Sequence, residues 1–273
     1  MTDTQMNATL PNTLDRDQPP PDPLAFAVAS RDADVLALVR SALAAGRARL
    51  AFQPVVLTHD HNVVAFYEGL VRVLDDAGRV IPAAHFMPVV EETDLGREID
   101  TAALNLAFDM LRKNPDMRLS VNVSARSFGD GRWRRALEEG LTRRGALGDR
   151  LIFEITETSA MMLHEVVVRF MSEMQPRGVA FALDGFGGGL IAFRHLKEFF
   201  FDLVKVDKSF VKGVAHDPDN QVLVEALITV AHQFEMFAVV EGVENAADAE
   251  FLSQIGADCL QGYHIGSPRF ALR

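Results

Sequence analysis

Short apolar runs recur along the chain, each closing on a polar residue and each separated from the next by a helix-length segment. They are LSVN ending at Asn122, LIFE at Glu154, VAFALD at Asp184, FDLVKVD at Lys205 and Asp207, FAVVE at Glu241 and DCLQ at Gln261. Runs of this length and spacing predict buried parallel strands joined by crossover helices. Helical patterns fill the intervals near 84–113, 130–143, 159–175, 190–199, 218–235 and 246–254. Upstream, Val35, Leu36, Val39 and Leu43 repeat at helical spacing from Arg31 until Gly46 stops the helix. Two strand-like segments follow, RLAFQPVV and NVVAFYEGLVRV, separated by the polar THDH turn. That connection is too short for a crossover helix, so the two strands should run antiparallel. The order of elements predicts an α/β fold, a modified (β/α)8 TIM-like barrel whose first strand is antiparallel.

In a parallel barrel the carboxyl ends of the strands gather at one face, where side chains from distant positions surround one pocket. The polar residues closing the runs would meet there, joined by Glu68 and Arg72 from the strand before them. Taken singly, a strand-end Glu, Asp or Asn is most often a helix cap or turn residue. Successive carboxylates and an amide at successive strand ends point instead to a metal site.

Composition narrows the ligands. The 273 residues carry 27 Lys plus Arg against 38 Asp plus Glu, a formal net charge of -11. That balance disfavours nucleic acid and anionic membranes as partners, and a phosphate ligand must be met by local cations. The single cysteine, Cys259, excludes an intramolecular disulfide, fits a reducing compartment and reads as a buried structural thiol. With no long uncharged apolar stretch and no secretory start, a cytoplasmic location is expected. Residues 1–24, which include Pro19, Pro20, Pro21 and Pro23, are expected to form a disordered tail, leaving 25–273 as the barrel domain. The eight histidines show no ligand spacing along the chain, and His59, His61, His216 and His232 read as solvated or structural. Trp133 does not suggest nucleic-acid stacking.

Seven segments together resemble a known family: EGLVR at 68–72, VNVS at 121–124, EITE at 154–157, DGFGGG at 184–189, KVD at 205–207, EGVE at 241–244 and QGY at 261–263. In this order and spacing they are similar to the EAL domain, the bacterial phosphodiesterase module that linearises the second messenger cyclic di-GMP to pGpG with Mg2+ or Mn2+. The resemblance covers roughly residues 30–270 and implies the same barrel. It implies a first metal held by Glu68, Asn122, Glu154 and Asp184, an oxygen shell suited to Mg2+ or Mn2+. Asp184 would bridge to a second metal, with Glu241 as a further ligand. Lys205 would handle a proton or stabilise charge beside the attacking water, and Asp207 would help fix the site. Arg72 would contact a ligand phosphate, Gln53 the guanine or ribose region, and Gln261 would sit at the rim of the metal pocket. Glu157 would anchor the loop after Asp184. A homodimer formed near residues 184–192 is also implied, its surface made apolar by Leu190, Ile191 and Phe193.

Departures from the family pattern bear on activity. Where active members carry DDFGTGYSS, this chain has DGFGGGLIA, so Gly185 replaces the second Asp and weakens the second metal. Gly187, Gly188 and Gly189 should leave the loop less preorganised, and restoring Thr at position 188 should add to the effect of restoring Asp at 185. EAL itself reads Glu68, Gly69, Leu70, keeping the metal-binding carboxylate. Three readings remain: a slow cyclic di-GMP phosphodiesterase; a degenerate domain that binds cyclic di-GMP or an unidentified signalling protein without hydrolysis; and an unrelated metal-dependent barrel enzyme. The roughly 30 residues ahead of the barrel leave no room for a sensor or cyclase domain, so input is expected from a partner, dimerisation or the tail.

Overall fold

The computed structural model describes residues 23–91, 93–142, 147–189 and 193–272. Helix α1 (Pro23–Ala44) leads into the hairpin of β1 (Ala48–Leu57) and β2 (Asp60–Leu74), which pair antiparallel from Ala48 opposite Val73 to Leu57 opposite Asp60. A short β3 (Val80–Ile81) extends β2 on its outer side. Alternation then sets in: α2 (Ala83–Val90), α3 (Asp94–Lys113), β4 (Leu119–Asn122), α4 (Gly131–Thr142), β5 (Leu151–Thr156), α5 (Glu157–Met162), α6 (His164–Met174), β6 (Ala180–Phe186), β7 (Leu203–Val206), α7 (Pro218–Gln233), β8 (Phe237–Val240), α8 (Ala246–Gln254) and β9 (Cys259–Leu260).

Strands β2, β4, β5, β6, β7, β8 and β9 pair in parallel, and β1 closes the ring by pairing antiparallel with both β9 and β2. The result is the eight-stranded barrel with one reversed strand that the sequence predicts. Among the described residues no helix is long and apolar enough to cross a membrane.

Element boundaries differ where local chemistry overrides periodicity. The helix expected over 84–113 is two helices, because the Thr93 hydroxyl accepts from Leu95 N and starts α3 afresh. The helix expected over 159–175 begins earlier, at Glu157, and breaks at Leu163. Thr156 starts it, its hydroxyl capping Ser159 N. The segment expected to be helical at 190–199 holds a 3-10 turn, Phe193–Glu198, while 190–192 lie outside the described residues. The first helix reaches back to Pro23, ahead of Arg31 and of the expected tail boundary at residue 24; residues 1–22 lie outside the described residues.

Side chains alternate along each strand, so each barrel strand sends one set inward and the other toward the helices. The inward set forms an apolar plug of Val55, Phe66, Ile152, Ala182, Leu203, Val239 and Cys259. Burial pushes the Cys259 thiol up to about 12, which makes it an inert packing group. The outward set packs under the helices, where Phe128 stacks on Phe170 at 3.9 Å and the fully buried Trp133 lies 5.5 Å from Phe153. Trp133 is therefore a core residue.

Phe170 touches Phe128, Trp133, Phe153 and Phe181, joining α4, α6, β5 and β6. Phe170→Ala should cost about 3–5 kcal/mol in chemical denaturation. A loss under about 1 kcal/mol would show that this cluster does not hold the helices to the barrel.

Candidate active site

One pleat period above the apolar plug the barrel interior turns polar. Two residues beyond Phe66, Ile152, Ala182, Leu203, Val239 and Cys259 stand Glu68, Glu154, Asp184, Lys205, Glu241 and Gln261, and two residues before Val55 on the reversed strand stands Gln53. A strand period of two keeps each on the same inward face as its apolar neighbour, so the ring follows from the apolar pattern that sets the register.

Lys205 lies at the centre of this ring. Its Nζ is 2.6 Å from Glu241 Oε1, 2.7 Å from Glu154 Oε2 and 3.1 Å from Glu68 Oε2. Lys205, Glu154 and Glu68 are buried, and the Glu241 side chain is 21% exposed. Glu68 also accepts from Gln261 Nε2 at 2.6 Å and from Asn122 Nδ2 at 2.8 Å. Gln53 joins through Gln261 at 3.4 Å and donates to Gly266 O at 3.1 Å. Glu154 Oε1 is buried and has no hydrogen-bond partner among the described residues.

The electrostatics follow from one ammonium facing four carboxylates. Burial pushes the Glu154 carboxyl up to about 8, helped by the neighbouring Glu68 charge and opposed by Lys205. Burial likewise raises Glu241 to about 7 and raises Asp184, in each case against the pull of Lys205. Glu68 moves the other way: Lys205 and the bonds from Gln261 and Asn122 outweigh its burial and hold it below the usual range. For Lys205, burial favours the neutral amine, but Glu154, Glu241, Glu68 and Asp184 overcome it and keep the group charged.

Other sequence candidates sit farther out. Asp207 caps the 3-10 turn Lys208–Phe210, its Oδ1 accepting from Ser209 N at 2.8 Å, and reaches the ring through its charge on Asp184. Arg72, half-buried and two pleats along β2 from Glu68, donates to Val71 O at 3.0 Å. Glu157 is buried and accepts from Gly187 N at 2.9 Å. Leu190 and Ile191 lie outside the described residues, as does the side chain of Phe193.

The loop after Asp184 departs from expectation. Gly185 is the bulged residue where the β6–β7 register shifts, with φ +76 and nothing within 4 Å of a Cβ built there. An Asp has room, and left-handed backbone is open to Asp at a cost of about 1–2 kcal/mol. Position 188 is tighter: a Cβ would lie 3.0 Å from Asp207 Cγ and 3.1 Å from Asp207 Cβ, so Thr there needs Asp207 to give by a few tenths of an ångström. Whether Thr at this position adds to the effect of Asp at 185 therefore turns on how far the Asp207 side chain can yield.

The ring opens on two sides. A cavity of about 300 Å³ is bounded by Gln53, Glu68, Glu241, Gln261, Lys208 and Tyr263. A smaller one of about 130 Å³ is reached by Asn122, Glu154, Asp100 and Ser124. Three of these were missed in the sequence. Tyr263, 71% exposed at the mouth, is the last residue of the QGY motif and had no role assigned there, and Lys208 directly follows KVD, so membership of a motif or proximity to one was their signal. Asp100 accepts from Ser127 Oγ at 2.6 Å and Ser124 N at 3.0 Å, and burial pushes it up to about 6. It sits inside α3 with nothing in the sequence to mark it.

The donor set fits a divalent cation. Glu68, Asn122, Glu154 and Asp184 present hard oxygens, the ring holds more negative than positive charge, and Glu154 keeps a buried oxygen without a partner. Gly185 offers no oxygen side chain to a second ion.

Comparison with known proteins places these observations. A sequence model described as the EAL domain matches residues 37–268. MucR of Pseudomonas aeruginosa, a bifunctional diguanylate cyclase/cyclic di-GMP phosphodiesterase, is 29% identical over 235 residues, covering 84% of this chain and 34% of MucR. PdeB of Shewanella oneidensis, a cyclic di-GMP phosphodiesterase, is 31% identical over 210 residues, covering 74% of this chain and 24% of PdeB. The chain thus spans about a third or less of these curated relatives. Among solved structures, the Pseudomonas aeruginosa FimX EAL domain bound to c-di-GMP matches with a TM-score of 0.78 at 29% identity, covering 87% of this chain and 97% of that one.

Without metal, stability should fall as pH rises. Glu154 near 8 and Glu241 near 7 stand above the ordinary 4.5, so folding favours their protonated forms. Their contribution is full below about 4.5 and is lost as pH climbs through 7 to 8. Melting temperatures of metal-free protein should drop across that window, and Glu154→Gln should flatten the slope. A rising trend that Glu154→Gln leaves untouched would refute the charge arrangement.

Proposed function

The chain belongs to the EAL domain family, and from that premise we propose that it binds cyclic di-GMP together with a divalent cation, with hydrolysis to pGpG weak or lost. The observation that carries this reading is the ring itself: Glu68, Glu154, Asp184 and Glu241 converge on one buried ammonium, and Glu154 retains an orphaned oxygen. Such a cluster is costly to bury unless further positive charge enters it.

In the proposed site Glu68, Asn122, Glu154 and Asp184 would hold the first Mg2+ or Mn2+. Asp184 and Glu241 would be left to hold a second ion without the carboxylate that Gly185 cannot supply. A bound pair of ions would polarise the phosphate and ionise the attacking water. The chain's own groups do the rest. Lys205 keeps Glu68, Glu154 and Glu241 aimed at a common centre and holds positive charge where a phosphate approaches. Gln261 and Asn122 orient Glu68 by their amide hydrogens. At the mouth, Tyr263 offers an exposed ring on which a guanine can stack, and Lys208 a cation for phosphate. Arg72 supplies a further phosphate contact if its side chain leaves the Val71 carbonyl. Glu157 holds the loop by Gly187 N. The barrel domain, a homodimer at the loop face and a cytoplasmic location remain part of this proposal.

The bond broken is one phosphodiester linkage of the ring, with water adding across it to leave linear pGpG. Purified protein with Mn2+ and cyclic di-GMP should turn over well below about 1 per second. Gly185→Asp should raise the rate at least about tenfold, equivalent to about 1.36 kcal/mol of barrier, even after its backbone cost. A wild-type rate of about 1 per second or more, unchanged by Gly185→Asp, would identify an active phosphodiesterase instead. Calorimetry with Ca2+ present should detect cyclic di-GMP binding; none at high micromolar ligand would leave a protein-interaction module.

A further inference from the structure

Away from the barrel mouth the fold joins two imidazoles and a carboxylate that are remote in sequence. His164 opens α6, whereas His195 and Glu198 belong to the 3-10 turn Phe193–Glu198. Three residues per turn eclipse positions i and i+3, so His195 and Glu198 project from one side of that turn. The linear sequence carries no metal-binding spacing for these histidines; the meeting is made by the fold.

The geometry is that of a ligand set. His164 Nε2 lies 2.9 Å from Glu198 Oε2, and His195 Nδ1 lies 3.8 Å from the same oxygen. One ligand atom from each of the three lies within 4.8 Å of the others. Tetrahedral zinc, with bonds near 2.0–2.2 Å, places its ligand atoms roughly 3.4 Å apart, inside the observed spread. Both ring nitrogens are closed off from solvent, and the one on His164 has no hydrogen-bond geometry to any described residue although a carboxylate oxygen faces it. Phe199 packs edge-on against the His164 ring at 4.7 Å and fixes its plane. The side chains are 28%, 28% and 42% exposed for His164, His195 and Glu198, so the cluster lies at the edge of the protein close to solvent.

We propose that His164, His195 and Glu198 bind one transition-metal ion of the Zn2+ class, with water or an outside ligand in the fourth position. Two nitrogen donors and one oxygen select this class over the hard cations suited to the all-oxygen ring around Glu68 and Glu154. The placement gives the ion a structural consequence. The turn bearing His195 and Glu198 follows the glycine loop after β6, and α6 follows α5, whose first residue Glu157 holds that loop. A bound ion would tie α6 to the turn that follows the loop. This site stands independently of the cyclic di-GMP reading.

The test uses the full chain in excess Mg2+, which occupies the oxygen ring, titrated with Co2+ as the visible probe and then with Zn2+. One equivalent of Co2+ should bind with the ligand-field bands of a low-coordinate nitrogen-containing site, and Zn2+ should displace it. His164→Ala and His195→Ala should each weaken that equivalent by at least the roughly 10–100-fold typical of changes to supporting groups, while Glu154→Gln leaves it in place. Absence of a stoichiometric equivalent in the wild type at tens of micromolar protein would overturn the proposal. So would an equivalent that survives the His164→Ala, His195→Ala double variant. Should His164→Ala fail to fold, His195→Ala in the short turn and the wild-type titration decide the question.

Discussion

A single ammonium buried among four carboxylates sets the terms for the rest of this molecule. Lys205 cannot be neutralised by its surroundings, since Glu154, Glu241, Glu68 and Asp184 all favour its charge. Nor does it offset the burial of them all, and Glu154 and Glu241, buried beside other carboxylates, are pushed up to about 8 and 7 despite their contacts to it. The barrel makes the arrangement possible. Every charged member of the ring stands two residues above an apolar plug residue on the same strand, so the packing that buries Phe66, Ile152, Ala182, Leu203 and Val239 also fixes the heading of Glu68, Glu154, Asp184, Lys205 and Glu241. A one-residue slip of any strand would send its ring member toward the helices. Fold stability and site geometry are in this sense one constraint.

Much of this was legible in the sequence because the barrel writes itself as a period. Apolar runs ending on polar residues give the strands, and the short polar connection around THDH gives the reversed pair, which the structure closes more tightly still, with Thr58 and His59 alone between Leu57 and Asp60. Helix ends were less legible. The breaks at Thr93 and Leu163 are set by a capping hydroxyl and a change of direction that hydrophobic periodicity does not register. In the site, motif residues could be read, but their partners could not. That Lys205 pairs with three carboxylates depends on strand stagger. That Asp207 caps a 3-10 turn depends on a backbone that turns just beyond β7. Asp100, within α3, and the meeting of His164 with Glu198 exist only in three dimensions.

The glycine loop shows how the same substitutions can be read differently in sequence and in space. As letters, three successive glycines suggest a loop without preference. In the fold, Gly185 occupies a left-handed bulge, and a Cβ on Gly189 would lie 2.1 Å from Glu157 Oε2. The missing carboxylate at 185 and the missing bulk at 188 and 189 thus have separate meanings. The first removes a potential metal ligand from a position with open space. The others let Asp207 and Glu157 approach the loop closely, an arrangement that larger side chains would have to displace.

Diffraction from crystals grown with Mn2+ and cyclic di-GMP, recorded for the anomalous signal of manganese, tests the central claim most directly. A peak bounded by Glu68, Asn122, Glu154 and Asp184 is expected, with the Glu154 oxygen that lacks a partner among its ligands and the Lys205 ammonium drawn back from that carboxylate. A map with no peak there, and with Lys205 still seated between Glu68, Glu154 and Glu241, would contradict a cation-binding role for the ring.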